Sequence, residues 1–149
     1  MIVGVVGAGS CSKEQYDAAC EIGRLIAQKG AMLATGGLGG VMEAASKGAK
    51  SAAGTVIGIL PGSTKDDANP YVDIPIVTDA SHMRNVILVN TADAIIAVYG
   101  SYGTLSEVAI ALKIGKRVVG FRSWEIEGII AADTPEDAVK LCFEQSEDD

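Results

Sequence analysis

The chain has 149 residues, with 12 Lys and Arg against 19 Asp and Glu and a formal net charge of −7. That balance repels nucleic acid and anionic membrane surfaces, so an anion site has to be built from backbone N–H groups and a few placed cations. The cysteines, Cys11, Cys20 and Cys142, show no C-x-x-C spacing and are odd in number, which argues against a disulfide framework and a metal site and for a reduced, cytoplasmic setting.

The length predicts one domain over residues 1–143 and a frayed acidic tail over 144–149. No apolar run approaches the roughly 20 residues of a membrane span, and Met1 leads into a strand without a basic leader. In chain order, the β-branched run Ile2 to Val6 reads as a strand, broken at Gly7-Ala8-Gly9-Ser10. Ser12 to Gln28 follows with Ala18, Ile22, Leu25 and Ile26 at helical spacing, and Gly30 stands where a helix ends. Ala31 to Ala34 is a second strand, and Thr35-Gly36-Gly37-Leu38-Gly39-Gly40 leads into a helix from Val41 to Lys50.

Gly54 to Leu60 is a third strand, followed by the polar loop Pro61 to Pro70, of the kind that covers a site. Ile74 to Val77 is a short element. Asp79 or Ser81 is placed to cap a helix running to about Asn90, with Arg84 in its first turns. The apolar run Asp93 to Val98 is a buried strand that stops at Tyr99-Gly100-Ser101-Tyr102-Gly103 and restarts as a helix through Val108 to Ile114. Lys116 to Phe121 and Gly128 to Ala132 are further strands, and Thr134-Pro135 has the cap and first-turn proline of a helix reaching Phe143. Apolar strands alternating with helices predict an α/β fold, a doubly wound parallel sheet with helices on both faces. Ligands of such sheets bind beyond the strand carboxyl ends, where the strand order reverses. The glycine or proline-glycine turns after Val6, Ala34, Leu60 and Val98 therefore point to one pocket, with Gly9, Ser10 and Pro61 at its rim.

Four stretches carry candidate chemistry, each with a plainer reading beside it. Gly7-Ala8-Gly9 invites a dinucleotide-binding reading, but Ser12 stands where the third glycine belongs and Thr35 where an acid should end the second strand, so a generic tight turn fits better. Gly36, Gly37, Gly39 and Gly40, with Met42, either let a phosphate or sugar approach a helix start or serve close helix-to-strand packing. Gly100 to Thr104 opens a helix whose first N–H groups and dipole suit an anion. Glu107 either closes a capping box begun at Thr104 or faces a pocket, because the helix carrying it is apolar nearly all round. Arg84 and His82 read as ordinary solvated residues when taken alone.

Together, Thr35 to Met42, Val56-Ile57-Gly58-Ile59-Leu60-Pro61, Ser81-His82-Met83-Arg84 and Gly100 to Glu107 resemble, in order, the motifs of the LOG-like Rossmann superfamily. The resemblance spans roughly residues 2 to 120. That superfamily includes cytokinin-activating nucleotide phosphoribohydrolases and molybdenum cofactor carrier proteins. The resemblance implies a Rossmann-like nucleotide-binding domain over 1–143. It makes Arg84 and Glu107 the catalytic pair, and it puts Gly36, Gly37, Gly39, Gly40, Met42, Gly100, Ser101, Tyr102, Gly103 and Thr104 at the phosphate and ligand.

Thr35, Ser81, Asn85, Tyr99 and Ser101 depart from the hydrolase pattern, which brings the chain nearer the cofactor carriers. The implied function is binding of a phosphorylated purine- or pterin-like molecule, with hydrolysis of the N-glycosidic bond of nucleoside 5′-monophosphates as its chemistry. The alternative is a non-catalytic carrier or sensor of a phosphorylated cofactor such as the molybdenum cofactor. No cofactor is required for the reaction itself; a bound nucleotide or molybdopterin-type ligand is the expected occupant. A homo-oligomer, dimer or larger, is expected. Lysine decarboxylation has no support, because no lysine stands in a context for a pyridoxal Schiff base.

Overall fold

The computed structural model describes residues 1–145; the expected acidic tail lies, from residue 146 on, outside the described residues. The strands are β1 (Ile2–Gly7), β2 (Met32–Thr35), β3 (Val56–Leu60), β4 (Ile74–Val77), β5 (Ala94–Val98), β6 (Arg117–Phe121) and β7 (Ile129–Ala132). The helices are α1 (Lys13–Gln28), α2 (Val41–Ser51), α3 (Arg84–Thr91), α4 (Tyr102–Lys113) and α5 (Pro135–Phe143). All strand pairs are parallel in the order β4-β3-β2-β1-β5-β6-β7. The chain winds outward from β1 to β4, crosses back to β5 beside β1, and winds the other way. The order therefore reverses between β1 and β5, the place expected for a ligand.

Strand burial follows from that topology. In β3 and β5 every residue is buried, because helices cover both faces of the sheet and leave no solvated side to alternate with. On one face α1, α2 and α5 pack Ile22, Ile26, Val41, Ala45 and Val139 onto Val3, Val5 and Ile96. On the other, α3 and α4 pack Leu88, Val89, Val108 and Ala111 onto Val6, Ile59 and Ile95.

Helices α1 and α2 touch backbone to backbone. A Cβ on Gly48 would lie 1.7 Å from the Cys20 carbonyl oxygen, and one on Gly23 would lie 1.9 Å from that of Ala45.

Helix ends are set by side chains. The Ser12 hydroxyl accepts from the Gln15 N–H at 3.2 Å, and Thr134 accepts from Asp137 at 3.1 Å with Pro135 at the first helical position. Gly30 has φ +78°, as a residue closing α1 requires.

One expected start is different. Asp79 and Ser81 do not cap α3: both have positive φ, 48° and 53°, and a 3-10 turn over Ser81–Met83 precedes the helix, which begins at Arg84. A cap needs extended backbone, and neither residue has it. The Pro61–Pro70 loop is anchored near its end. Asn69 donates from its side chain to the Leu38 carbonyl at 3.0 Å and from its backbone to Gly37 at 2.8 Å, pinning the loop onto the turn after β2.

Candidate functional site

Two cavities flank the turn after β5, one on the α3 side and one on the β6 side. The first, about 240 Å³, is walled by Gly7 to Gly9, by Leu38 and Met42, by His82, Arg84 and Asn85, and by Ser101, Gly103, Thr104 and Glu107. The second, about 450 Å³, lies between Ser10, Gln15, Tyr99, Gly100, Arg122 and Trp124.

Glu107 gains its place from where α4 starts. The expected capping box from Thr104 to Glu107 does not form. Ser101 is the N-cap, its N–H donating to Thr104 Oγ1 at 3.4 Å, so Thr104 is the third helical residue and Glu107 lies a turn further in. There Glu107 joins Thr104, Val108 and Ala111 on the buried stripe of α4 and is only 6% exposed. It faces the cavity without a hydrogen bond or an ion pair among the described residues. Burial raises its pKa from the usual 4.5 to about 7, with the Arg84 charge opposing the rise. A carboxyl that titrates near neutrality in a cavity is suited to hold or release a proton.

Arg84 enters the same cavity from the start of α3. Its guanidinium lies on the backbone at Gly36, where a Cβ would meet Nη2 at 2.7 Å. It donates through Nη1 to Asn85 Oδ1. Asn85 Nδ2 donates to Ser106 Oγ at 3.2 Å, and Ser106 Oγ donates to the Gly103 carbonyl at 2.7 Å. This relay ties α3 to the first turn of α4. Arg84 Nε is buried without a partner, and burial lowers the guanidinium pKa while Glu107 raises it. An unpaired buried donor beside an unpaired buried carboxyl leaves hydrogen-bonding capacity for a ligand.

The glycine stretch after β2 is accounted for by packing rather than by an open helix start. Gly37 has φ +77° and lies against Leu60, and a Cβ on Gly40 would lie 2.3 Å from the Ala8 carbonyl. The first N–H of α2, at Val41, donates to that same carbonyl at 3.0 Å. Gly36, Gly37, Gly39 and Gly40 therefore do not line the cavity, although Leu38 and Met42 do. Thr35, where the hydrolase pattern has glycine, accepts from the Gly37 N–H at 3.0 Å and shapes the turn.

Other expected residues divide between the cavities. Gly9, His82, Ser101, Gly103 and Thr104 line the smaller, and Ser10 and Gly100 line the larger. Tyr102 is 84% exposed and Pro61 lines neither. Gly103 has open space where a Cβ would be, so its face toward the cavity is bare backbone.

Asn85, Gln15, Arg122, Ser123 and Trp124 escape sequence reasoning. Trp124, the only tryptophan, reaches the site only because β6 lies beside β5.

With this geometry in place, the chain can be set beside known proteins. The SLOG cluster4 family model matches residues 1–149. An uncharacterized protein of Archaeoglobus fulgidus is 54% identical over 147 residues, 98% of this chain and 97% of that protein. The molybdenum cofactor binding protein of Rippkaea orientalis superposes with TM-score 0.90 at 39% identity, covering 94% of this chain and 93% of that one. The molybdenum cofactor carrier protein of Chlamydomonas reinhardtii does so with TM-score 0.84 at 36% identity, covering 93% of each chain. A rice protein named "Probable cytokinin riboside 5′-monophosphate phosphoribohydrolase" is 32% identical over 106 residues, 68% of this chain but 47% of its own length.

Proposed function

The chain belongs to the SLOG cluster4 family, and from that premise and the geometry above we propose that it binds a phosphorylated pterin-type ligand as a carrier of molybdenum cofactor. The observation that carries this reading is the meeting of the first turn of α4 with Arg84 in one cavity. The first N–H groups of a helix have no partner within it, and the helix dipole favours negative charge there. A phosphate on Tyr102 to Thr104 would use those donors, with Arg84 beside it, because the Ser101 N–H is taken by Thr104 Oγ1. The likeness to the two cofactor-binding structures over nine-tenths of each chain supports the pterin ligand over a nucleotide.

The test is mass spectrometry of the protein purified gently from cells able to make the cofactor. A molybdopterin-type species should be retained by the wild type and lost on Arg84→Ala. A protein that leaves such cells empty, or retains a nucleotide in its place, would refute the carrier reading.

Glu107 favours a second reading, hydrolysis of nucleoside 5′-monophosphates. Breaking the N-glycosidic bond builds positive charge on the ribose, and a carboxylate beside the ring stabilises that charge and orients the attacking water. Free base and ribose 5-phosphate released by wild type, and not by Glu107→Gln, would establish it.

A second copy of this chain suits the outer side of α3 and the adjoining ends of the α3–α4 layer, where Met83 before α3, Val86, Ile87 and Ile114 after α4 are 73%, 42%, 39% and 46% exposed. A homodimer or larger assembly built through these helices is part of the proposal.

A further inference from the structure

The smaller cavity, about 240 Å³, falls below the roughly 300–1,000 Å³ of sites that enclose a whole small ligand, while its neighbour at about 450 Å³ falls within that range. The two share Ala8 and are separated only by the turn after β5. A phosphate seated at the start of α4 therefore has its larger space on the β6 side. That side also has the chemistry a ring needs. Trp124, one-third exposed, presents an aromatic surface, and Arg122 lines the same wall. The Arg122 guanidinium is held near Glu14 at 3.8 Å and over the Phe121 ring at 5.8 Å from its centroid. Ser10 and Gln15 supply polar groups for a ring edge.

The wall is fixed from behind. Tyr99 packs edge-on against Phe121 at 5.7 Å, and the Ser123 hydroxyl donates to the Tyr99 carbonyl at 2.6 Å. Tyr99 and Arg122, at equivalent places after β5 and β6, both hold positive φ, 51° and 49°. Such backbone costs on the order of 1–3 kcal/mol per residue in non-glycine positions and persists only where the surroundings impose it.

We propose that Trp124 and Arg122 are the specificity-determining seat for a planar heterocycle, so that the ligand straddles the turn after β5 with its phosphate at the start of α4 and its ring on Trp124. The inference rests on the phosphate-site reading above and adds the position and class of the rest of the ligand: a flat bicyclic ring with polar edges. Stacking is sequence-tolerant for nucleobases and for other π systems of that shape.

The test uses calorimetric titration with guanosine 5′-monophosphate, whose ring has the 2-amino-4-oxo edge of a pterin, and with ribose 5-phosphate, which has the phosphate and no ring. Trp124→Ala and Arg122→Ala should each weaken guanosine 5′-monophosphate about tenfold and leave ribose 5-phosphate within twofold; Trp124→Phe should restore most of the loss. Because Trp124 is the sole tryptophan, guanosine 5′-monophosphate should also quench its fluorescence saturably at the same midpoint, which a purely structural role would not produce. Guanosine 5′-monophosphate affinity unchanged in both alanine variants overturns the ring seat and leaves the phosphate site standing. Binding of neither compound to wild type overturns the phosphate site and the seat together.

Discussion

The two faces of the sheet are built to different standards. On the face covered by α1, α2 and α5, α1 and α2 meet at backbone distance, with glycines at the crossing and an apolar cluster closed around them. Under α3 and α4 the helix layer is thinner. Helix α3 has only eight residues, its outer side exposes Val86 and Ile87 beside Met83 of the preceding turn, and its inner side shares the core with a carboxyl and a guanidinium. The first face is closed by apolar packing, and the second keeps a carboxyl and a guanidinium at a cavity. The unpaired Arg84 Nε and the carboxyl of Glu107, pushed up to about 7, both lie on this second face.

Substitutions should separate the faces. The largest effect belongs to Gly48→Val, which has to force α1 and α2 apart against backbone atoms. It should cost about 3 kcal/mol or more in urea unfolding and leave too little folded protein for ligand binding. A loss under 1 kcal/mol would mean that the crossing relaxes and the contrast between the faces is overstated.

Next comes Glu107→Gln. Burial raises the Glu107 pKa from 4.5 to about 7, so the folded protein keeps a proton that the unfolded chain has already released between those values. The stability tied to that proton is complete below about pH 4.5, falls as pH rises, and is fully lost above about pH 7. The wild type therefore bears a penalty of up to about 3 kcal/mol at pH 8. Glu107→Gln should be more stable than wild type by up to that amount at pH 8 and equal to it at pH 4. Equal stability at both pH values would place the carboxyl in contact with water.

The smallest effect on the fold is Val86→Ser with Ile87→Ser. Exposed positions of this kind move stability by under about 0.5 kcal/mol, yet light scattering should show the double variant falling from an oligomeric to a monomeric mass. A wild-type mass already monomeric across concentrations removes self-association through this face.

Much of the architecture was legible in the chain because parallel strands covered on both faces need uninterrupted apolar runs, and Ile2 to Val6 and Ala94 to Val98 are such runs. Ser12, Gly30, Thr134 and Pro135 marked helix ends by local chemistry alone. The start of α3 was not legible. Asp79 and Ser81 are good capping types, but the chain turns through left-handed backbone at both, and composition carries no record of that.

Glu107 shows a different limit. Ser101 and Thr104 are equally good caps on paper, and choosing Thr104 moves Glu107 by a turn, from a pocket to a helix end. The neighbourhood of Arg84 and Glu107 follows from motif order, whereas that of Trp124 and Gly100 follows from strand order, which no local pattern encodes.

The hydrogen bond from Ser123 to the Tyr99 carbonyl has a thermodynamic consequence. It fastens the turn after β5 to the turn after β6, each already held in left-handed backbone, so the two walls of the larger cavity have little conformational freedom left to lose. Ordering a loop is one of the main costs of binding, and a wall ordered in advance escapes it. A planar ligand seated on these walls would meet a surface ordered once, during folding, instead of at each encounter.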